Sequence, residues 1–165
     1  MEAVIDALPR MLTRLKLTAI RDQLDGLLDE ASRLDLTLRE ALALFCEREI
    51  ARKDERRIQM HLSIAKFPFV RELSGFDFDA QPSLDPKQLR ELATGRFVAN
   101  GDSLLLLGPP GVGKTHLAVA LGREVIRAGY SVLFVTAHTL VAQLRKAELE
   151  RRLEERLAHW TKPKL

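Results

Sequence analysis

The stretch that most constrains this chain runs Leu104-Leu105-Leu106-Leu107-Gly108-Pro109-Pro110-Gly111-Val112-Gly113-Lys114-Thr115-His116-Leu117-Ala118. It reads as an apolar strand, a glycine-rich turn and the opening of a helix. Gly108, Gly113, Lys114 and Thr115 fit G-x-x-x-x-G-K-[ST], the phosphate-binding loop. Glycines let successive N–H groups turn into one concavity that suits an anion, and a helix opening near Gly113 adds the positive end of its dipole. Lys114 can reach the β- and γ-phosphates of a nucleotide, and the Thr115 hydroxyl can ligate Mg²⁺. The flanks agree with this reading. Four leucines suit a buried parallel strand, and Leu117, Ala118, Leu121 and Val125 suit the buried face of a helix. A dinucleotide-binding reading fails, because His116 stands where a third glycine belongs and no acidic residue ends the strand at Val135.

At 165 residues, 46% hydrophobic and 30% charged, the chain is long enough for a globular core, as one domain or one domain with an extension. A net charge of +3 permits an acidic partner without demanding one. The single Cys46 excludes an internal disulfide and reads as a small core residue. No apolar run reaches membrane-spanning length, and acidic residues interrupt the first thirty positions, so the expectation is a cytoplasmic protein with no membrane partner. His61, His116, His138 and His159 are scattered without metal-ligand spacing.

Residues 1–66 read as helical. Val4, Ile5, Leu8, Leu12 and Leu15, then Ile20, Leu24, Leu27 and Leu28, recur at helical spacing, with Pro9 expected to end or kink the first helix. A longer helix over 36–66 opens on a capping box, Thr37 with Glu40. Its second half alternates signs from Glu47 to Arg57. One reading is a solvated face with pairs such as Glu49–Lys53. The other is that Arg48, Arg52, Lys53, Arg56 and Arg57 touch nucleic-acid phosphates.

Residues 67–86 read as a linker, broken by Pro68, Pro82 and Pro86, whose phenylalanines dock into a core. A short helix follows, with Asp85 as N-cap and Pro86 at its first position. Gly95 can end it, and Asn100-Gly101 is a turn. Helix 115–128, with Gly129 at its end, leads to a second apolar strand, Ser131–Val135. Strand, helix and strand make the βαβ crossover of a parallel sheet. Thr136 or Thr139 can cap a further helix. The charged region after Lys146 keeps Leu149, Leu153 and Leu157 at helical spacing until Pro163, and 140–165 carries seven basic and four acidic residues.

The loop through Ala118 resembles that of AAA+ ATPases related to bacterial helicase loaders. Arg48-Glu49 and the basic run after it, Ala65-Lys66-Phe67-Pro68, Phe76-Asp77-Phe78, and Phe134-Val135-Thr136 with Leu140-Val141 and Leu144 resemble the IstB family, helper ATPases encoded beside insertion-sequence transposases. The resemblance implies an α/β P-loop NTPase core with an AAA+-like parallel sheet, preceded by an all-helical region. The domains would be 1–66, a linker at 67–86, and 87–165 as the first part of the ATP-binding domain. Gly108 to His116 would bind ATP, with Mg²⁺ held through Thr115 and the nucleotide. The implied partners are double-stranded DNA, the cognate transposase and further copies in a homo-oligomer. In the family the next strand ends in Asp-Glu. Trp160–Leu165 looks like its lead-in and the sequence stops there, so the expectation is a C-terminally truncated or partial member that hydrolyses ATP poorly, with no catalytic residue assigned. The alternatives are a replicative helicase-loader adaptor, a small-molecule kinase, for which no acceptor site is evident, and a remnant that does not fold alone.

Overall fold

The computed structural model describes residues 2–165, with side chains from residue 7 onward; Met1, and the side chains of Val4 and Ile5, lie outside the described residues. Two compact units are formed, Met1–Arg57 and Ile58–Leu165.

The first unit holds α1 (Glu2–Arg14), α2 (Thr18–Asp22), α3 (Leu24–Arg33) and α4 (Leu38–Ile64) as far as Arg57. Leu12, Ile20 and Leu27 form its buried centre, with Leu8, Leu17, Leu24 and Phe45 packed around them. That burial keeps Pro9 inside α1, so the proline does not end the helix. Leu8 and Leu12 need one continuous face, and the helix gives up the single N–H bond that proline removes. The Thr37–Glu40 capping box forms as expected, with the Thr37 N–H donating to Glu40 Oε2 at 2.8 Å and the Glu40 N–H to Thr37 Oγ1 at 3.4 Å. The apolar line of α4 is not buried where it was expected: Leu38, Leu42 and Cys46 are exposed. So are Leu15 and Leu28.

Glu49 is the exception among charged residues, at 3% exposure. Rather than lying on a solvated face, its Oε2 accepts the N–H groups of Ala19 (2.8 Å) and Ile20 (3.1 Å), which open α2. Its Oε1 faces only the Lys53 ammonium at 3.5 Å. Burial pushes this carboxyl up, but the Ile20 and Ala19 bonds and Lys53 outweigh it, and the carboxyl is held below the ordinary carboxylate range. The stabilisation is therefore present at neutral pH and is lost as pH falls through that lowered value. Glu49→Gln is expected to cost about 1–3 kcal/mol at pH 7 and to flatten the acid limb of the stability curve. Denaturant titrations across pH check this, and identical acid limbs in the two proteins would contradict it.

The second unit is built around α7 (Lys114–Arg127), whose Leu117, Val119, Ala120, Leu121, Val125 and Ile126 are buried. One side packs on Ala65, Phe97, Val98 and Val132. The other packs on Phe76 and Leu89. Helix α5 (Pro86–Ala93) starts as read, with Asp85 Oδ1 accepting the Lys87 N–H at 2.7 Å. A short α6 (Arg96–Asn100), not anticipated, follows Gly95 directly. At the end of α7, the N–H groups of Gly129 and Tyr130 bond the carbonyls of Ile126 and Val125, with Gly129 left-handed at φ 101°. Helix α8 (Ala137–Leu149) is capped by Thr136, which accepts the Thr139 N–H at 3.2 Å. The helical spacing beyond it does not give one helix. Arg151 turns left-handed (φ 56°), the Arg152 N–H closes on the Ala147 carbonyl at 2.8 Å, and α9 (Leu153–Thr161) begins afresh.

The two segments expected as buried strands differ from that expectation. Among the described residues there is no regular strand. In 103–107, Leu104 and Leu106 are half-buried while Leu105 and Leu107 are 78% and 86% exposed. No backbone hydrogen bond to this segment occurs among the described residues. Ala118, expected on the buried face of α7, is also exposed. It lines an apolar groove of about 180 Å³ with Leu104, Leu106, Val132, Phe134 and Leu165. The physical reason is missing neighbours: a strand is buried on both faces only when other strands and helices flank it. In 131–135, the Phe134 N–H donates to the Ala65 carbonyl (2.8 Å). The Leu133 N–H donates to the Leu165 carbonyl (2.9 Å), and the Leu165 N–H to the Ser131 carbonyl (3.1 Å). Those last two bonds straddle Val132 in the pattern of a single parallel step.

Candidate nucleotide-phosphate site

The loop Gly108–Gly113 leads straight into α7. Gly113 is the N-cap residue, left-handed at φ 88°, with no side-chain cap. A glycine is required there twice over. A side chain disfavours that φ, and a Cβ would lie 2.9 Å from the Phe76 ring. The N–H groups of Lys114, Thr115 and His116 open the helix with no acceptor among the described residues. Free N–H groups at a helix start are the kind of donor to which anions bind. Lys114 folds back over the loop, its Nζ donating to the Pro109 carbonyl at 2.6 Å. The ammonium is thus held beside the same concavity. Thr115 is exposed at the first turn, free to meet a metal ion that accompanies phosphates. Pro109, Pro110 and Gly111 form the exposed crest, and Val112 is half-buried beneath it.

His116 does not face the loop alone. Its Nε2 lies 3.3 Å from the Glu72 carbonyl oxygen, and its ring meets Phe76 edge-on with centroids 5.2 Å apart. The Glu72 carboxylate binds Arg123 (2.5 Å) and Arg127 (2.9 Å) further along α7. Burial pushes the Glu72 carboxyl up, but the bonds from Arg127 and Arg123 prevail and hold it below the ordinary range. The expected linker is therefore fastened along the loop helix through His116, Arg123 and Arg127. It presents Phe76 to Gly113, with Phe78 edge-on behind it at 5.2 Å. Nothing in the sequence singles out Glu72 and these arginines as partners. Positions 116, 123 and 127 share one face of a helix, which was the available signal, but nothing local names a partner more than forty residues away.

The basic residues of α4 are individually satisfied. Arg48 pairs with Glu30 (3.4 Å), Arg52 with Glu55 (2.9 Å), Lys53 with Glu49 (3.5 Å) and Arg57 with Asp54 (3.3 Å). Arg56 donates to Thr18 Oγ1 at 2.9 Å. All five cations are exposed. The pairs of Arg48, Arg52 and Arg57 are exposed and of a kind that contributes about 0–1 kcal/mol, whereas Lys53 meets the buried Glu49.

Residues 10–165 match the family model described as IstB-like ATP binding protein. The chain belongs to this family. Within the IstB-like family it is 41% identical over 150 residues to a protein of insertion sequence IS5376 from Geobacillus stearothermophilus, covering 91% of this chain and 60% of the relative. It is 42% identical over 147 residues to an IS21 protein of Pseudomonas aeruginosa, covering 89% and 56%. With an IS232 protein of Bacillus thuringiensis subsp. berliner the identity is 34% over 151 residues, covering 92% and 60%. Each relative carries the provisional name of ATP-binding protein. The chain thus spans about three fifths of the length of these curated relatives. Membership brings the P-loop NTPase fold to the second unit. Among the described residues, no helix is long and apolar enough to cross a membrane.

Proposed function

We propose that this chain is an ATP-binding helper of insertion-sequence DNA transposition, working in the cytoplasm. The observation that carries the nucleotide half is the bare opening of α7: unpaired N–H groups, a left-handed Gly113 and Lys114 poised on the Pro109 carbonyl. Gly108 to His116 cradle the phosphates, Lys114 neutralises them, and Thr115 reaches Mg²⁺ bound to the nucleotide. The residues fit that group without rearranging α7. Segments 103–107 and 131–135 take the places that the first two strands of a parallel sheet have in a P-loop NTPase fold, although neither is a regular strand here. An apolar groove lies between them and is lined in part by Leu165.

The other half of the reading is assembly on double-stranded DNA, as a homo-oligomer, with assistance to a transposase. Its DNA surface is the row Arg48, Arg52, Lys53, Arg56 and Arg57. Phosphate contacts release counterions, so affinity falls steeply with salt, by about 0.9 in the logarithmic slope for each contact. Replacing Arg52, Lys53, Arg56 and Arg57 by alanine is expected to weaken duplex binding and to flatten that slope by about 0.9 per cation. Fluorescence anisotropy of a labelled duplex over a salt series measures both. Unchanged affinity and slope would remove α4 as a DNA surface. Capture of a hexameric helicase instead of a transposase would move the chain to the loader reading.

A further inference from the structure

The segment 72–78 is held on α7 by contacts that meet at one residue, Glu72. Its carboxylate receives two arginines of the helix. Arg123 donates to Oε1 from Nε (3.1 Å) and Nη2 (2.5 Å), and Arg127 Nη2 donates to Oε1 (3.1 Å) and Oε2 (2.9 Å). The Glu72 carbonyl oxygen accepts the Gly75 N–H at 3.2 Å, which closes a single 3-10 turn over Leu73–Gly75, and it faces His116 Nε2 at 3.3 Å. A carbonyl oxygen only accepts, so Nε2 carries the imidazole proton. Just past that turn the buried Phe76 ring stands against His116 and against the bare Cα of Gly113. The grip is at one end of the segment, and the wall that it places is at the other. Arg123 and Arg127 lie more than two turns along α7 from Lys114, so this cluster does not touch a nucleotide in the loop. Its effect on one passes through Phe76.

We infer that Glu72 is a positioning residue for nucleotide binding: by pairing with Arg123 and Arg127 it holds Phe76 as the back wall of the phosphate loop, and nucleotide in the loop in turn tightens the docking of residues 72–78 on α7. Gly113 keeps its left-handed φ of 88° with no side-chain cap, and the Phe76 ring packs directly behind it. A turn already held in one conformation offers its N–H groups to a phosphate without first being ordered, and that ordering cost lowers affinity when the wall withdraws. The grip is more than a surface pair because the Arg123 side chain is only 13% exposed. Releasing Glu72 leaves a nearly buried guanidinium without its partner. Linkage makes the effect reciprocal: a docked segment that raises the affinity for ATP is itself stabilised by ATP to the same factor. The inference rests on the ATP half of the proposed function and is independent of the DNA half.

The test uses the 165-residue chain with ATP and Mg²⁺. Glu72→Gln keeps the size of the side chain and removes its charge. It is expected to weaken ATP binding about 5-fold or more, the lower end of ordinary coupling between sites, while the circular dichroism of the folded chain is retained. Arg123→Gln is expected to give a similar loss, and the double variant no more than the larger of the two, because both remove one contact. Hydrogen exchange gives a readout that a merely structural role would not move. In the unaltered chain ATP is expected to slow exchange at the Gly75 and Phe76 amides more than at those of α9, and in Glu72→Gln this extra protection is expected to shrink. The exchange measurement on the unaltered chain needs no substitution, so it decides the matter even where a variant does not fold. Equal ATP affinity in Glu72→Gln, additive losses in the double variant, or no extra protection of Gly75 and Phe76 would overturn the inference while leaving ATP binding intact. An unaltered chain that binds no ATP would overturn both.

Discussion

Lys114→Ala is expected to remove ATP binding from this chain without unfolding it. In the free chain the Lys114 ammonium is not idle, because it closes the loop on the Pro109 carbonyl. When phosphates arrive they offer a charged acceptor in place of a neutral one, and charge-assisted bonds are about twice as strong. Truncating one partner of a hydrogen-bonded charge pair that becomes buried on binding costs about 2–5 kcal/mol, or roughly 30- to 5,000-fold in affinity. Alanine suits the first turn of a helix and buries no new group, so the melting temperature without nucleotide is expected to stay put. What is lost is the upward shift that ATP gives the unaltered protein, since a ligand stabilises only the state that binds it. A variant that keeps the ATP-induced shift would show that the lysine does not meet the phosphates.

Gly113→Ala is expected to damage both stability and nucleotide affinity, for two separable reasons. The left-handed φ of 88° costs a residue with a side chain about 1–2 kcal/mol. The added Cβ also meets the Phe76 ring at 2.9 Å. That ring is buried and wedged between His116 and Phe78, so it has little room to yield. Overpacking of this sort adds about 1–3 kcal/mol. In the double variant with Phe76→Leu, the steric share should disappear and the conformational share should remain. Denaturant unfolding of the four proteins in the cycle separates the two. A single variant as stable as the parent would contradict the fit of Phe76 against the loop.

Much of the local structure was legible because its causes are local. The Thr37–Glu40 box, the Asp85-Pro86 start, the Thr136 cap and the end at Gly129 are each decided by residues within one turn of one another. The turn Gly108–Gly113 and the start of α7 belong to the same class, since the glycines and Lys114 that shape them lie within eight residues. What was not legible depends on distant partners. Glu49 is placed in an alternating charged run, yet it is buried because α2 needs an acceptor thirty residues earlier. Pro9 stays inside α1 because Leu8 and Leu12 pack together on one core. The apolar runs 103–107 and 131–135 carry a strand composition, but half of the first is exposed, because strand pattern describes a sheet and these residues supply too little of one. The split after Leu149 is a case of the backbone taking a left-handed turn at an arginine, where helical periodicity gives no warning.

We propose that Gly108 to Thr115 hold the phosphates of ATP in this chain. Isothermal titration of the purified 165-residue protein with ATP, with Mg²⁺ and again with the metal chelated, tests it most directly. The expected result is one saturable site whose affinity drops on chelation and which vanishes in Lys114→Ala. A folded protein that releases no heat with ATP and shows no thermal shift, or one whose binding is untouched by Lys114→Ala, would contradict it.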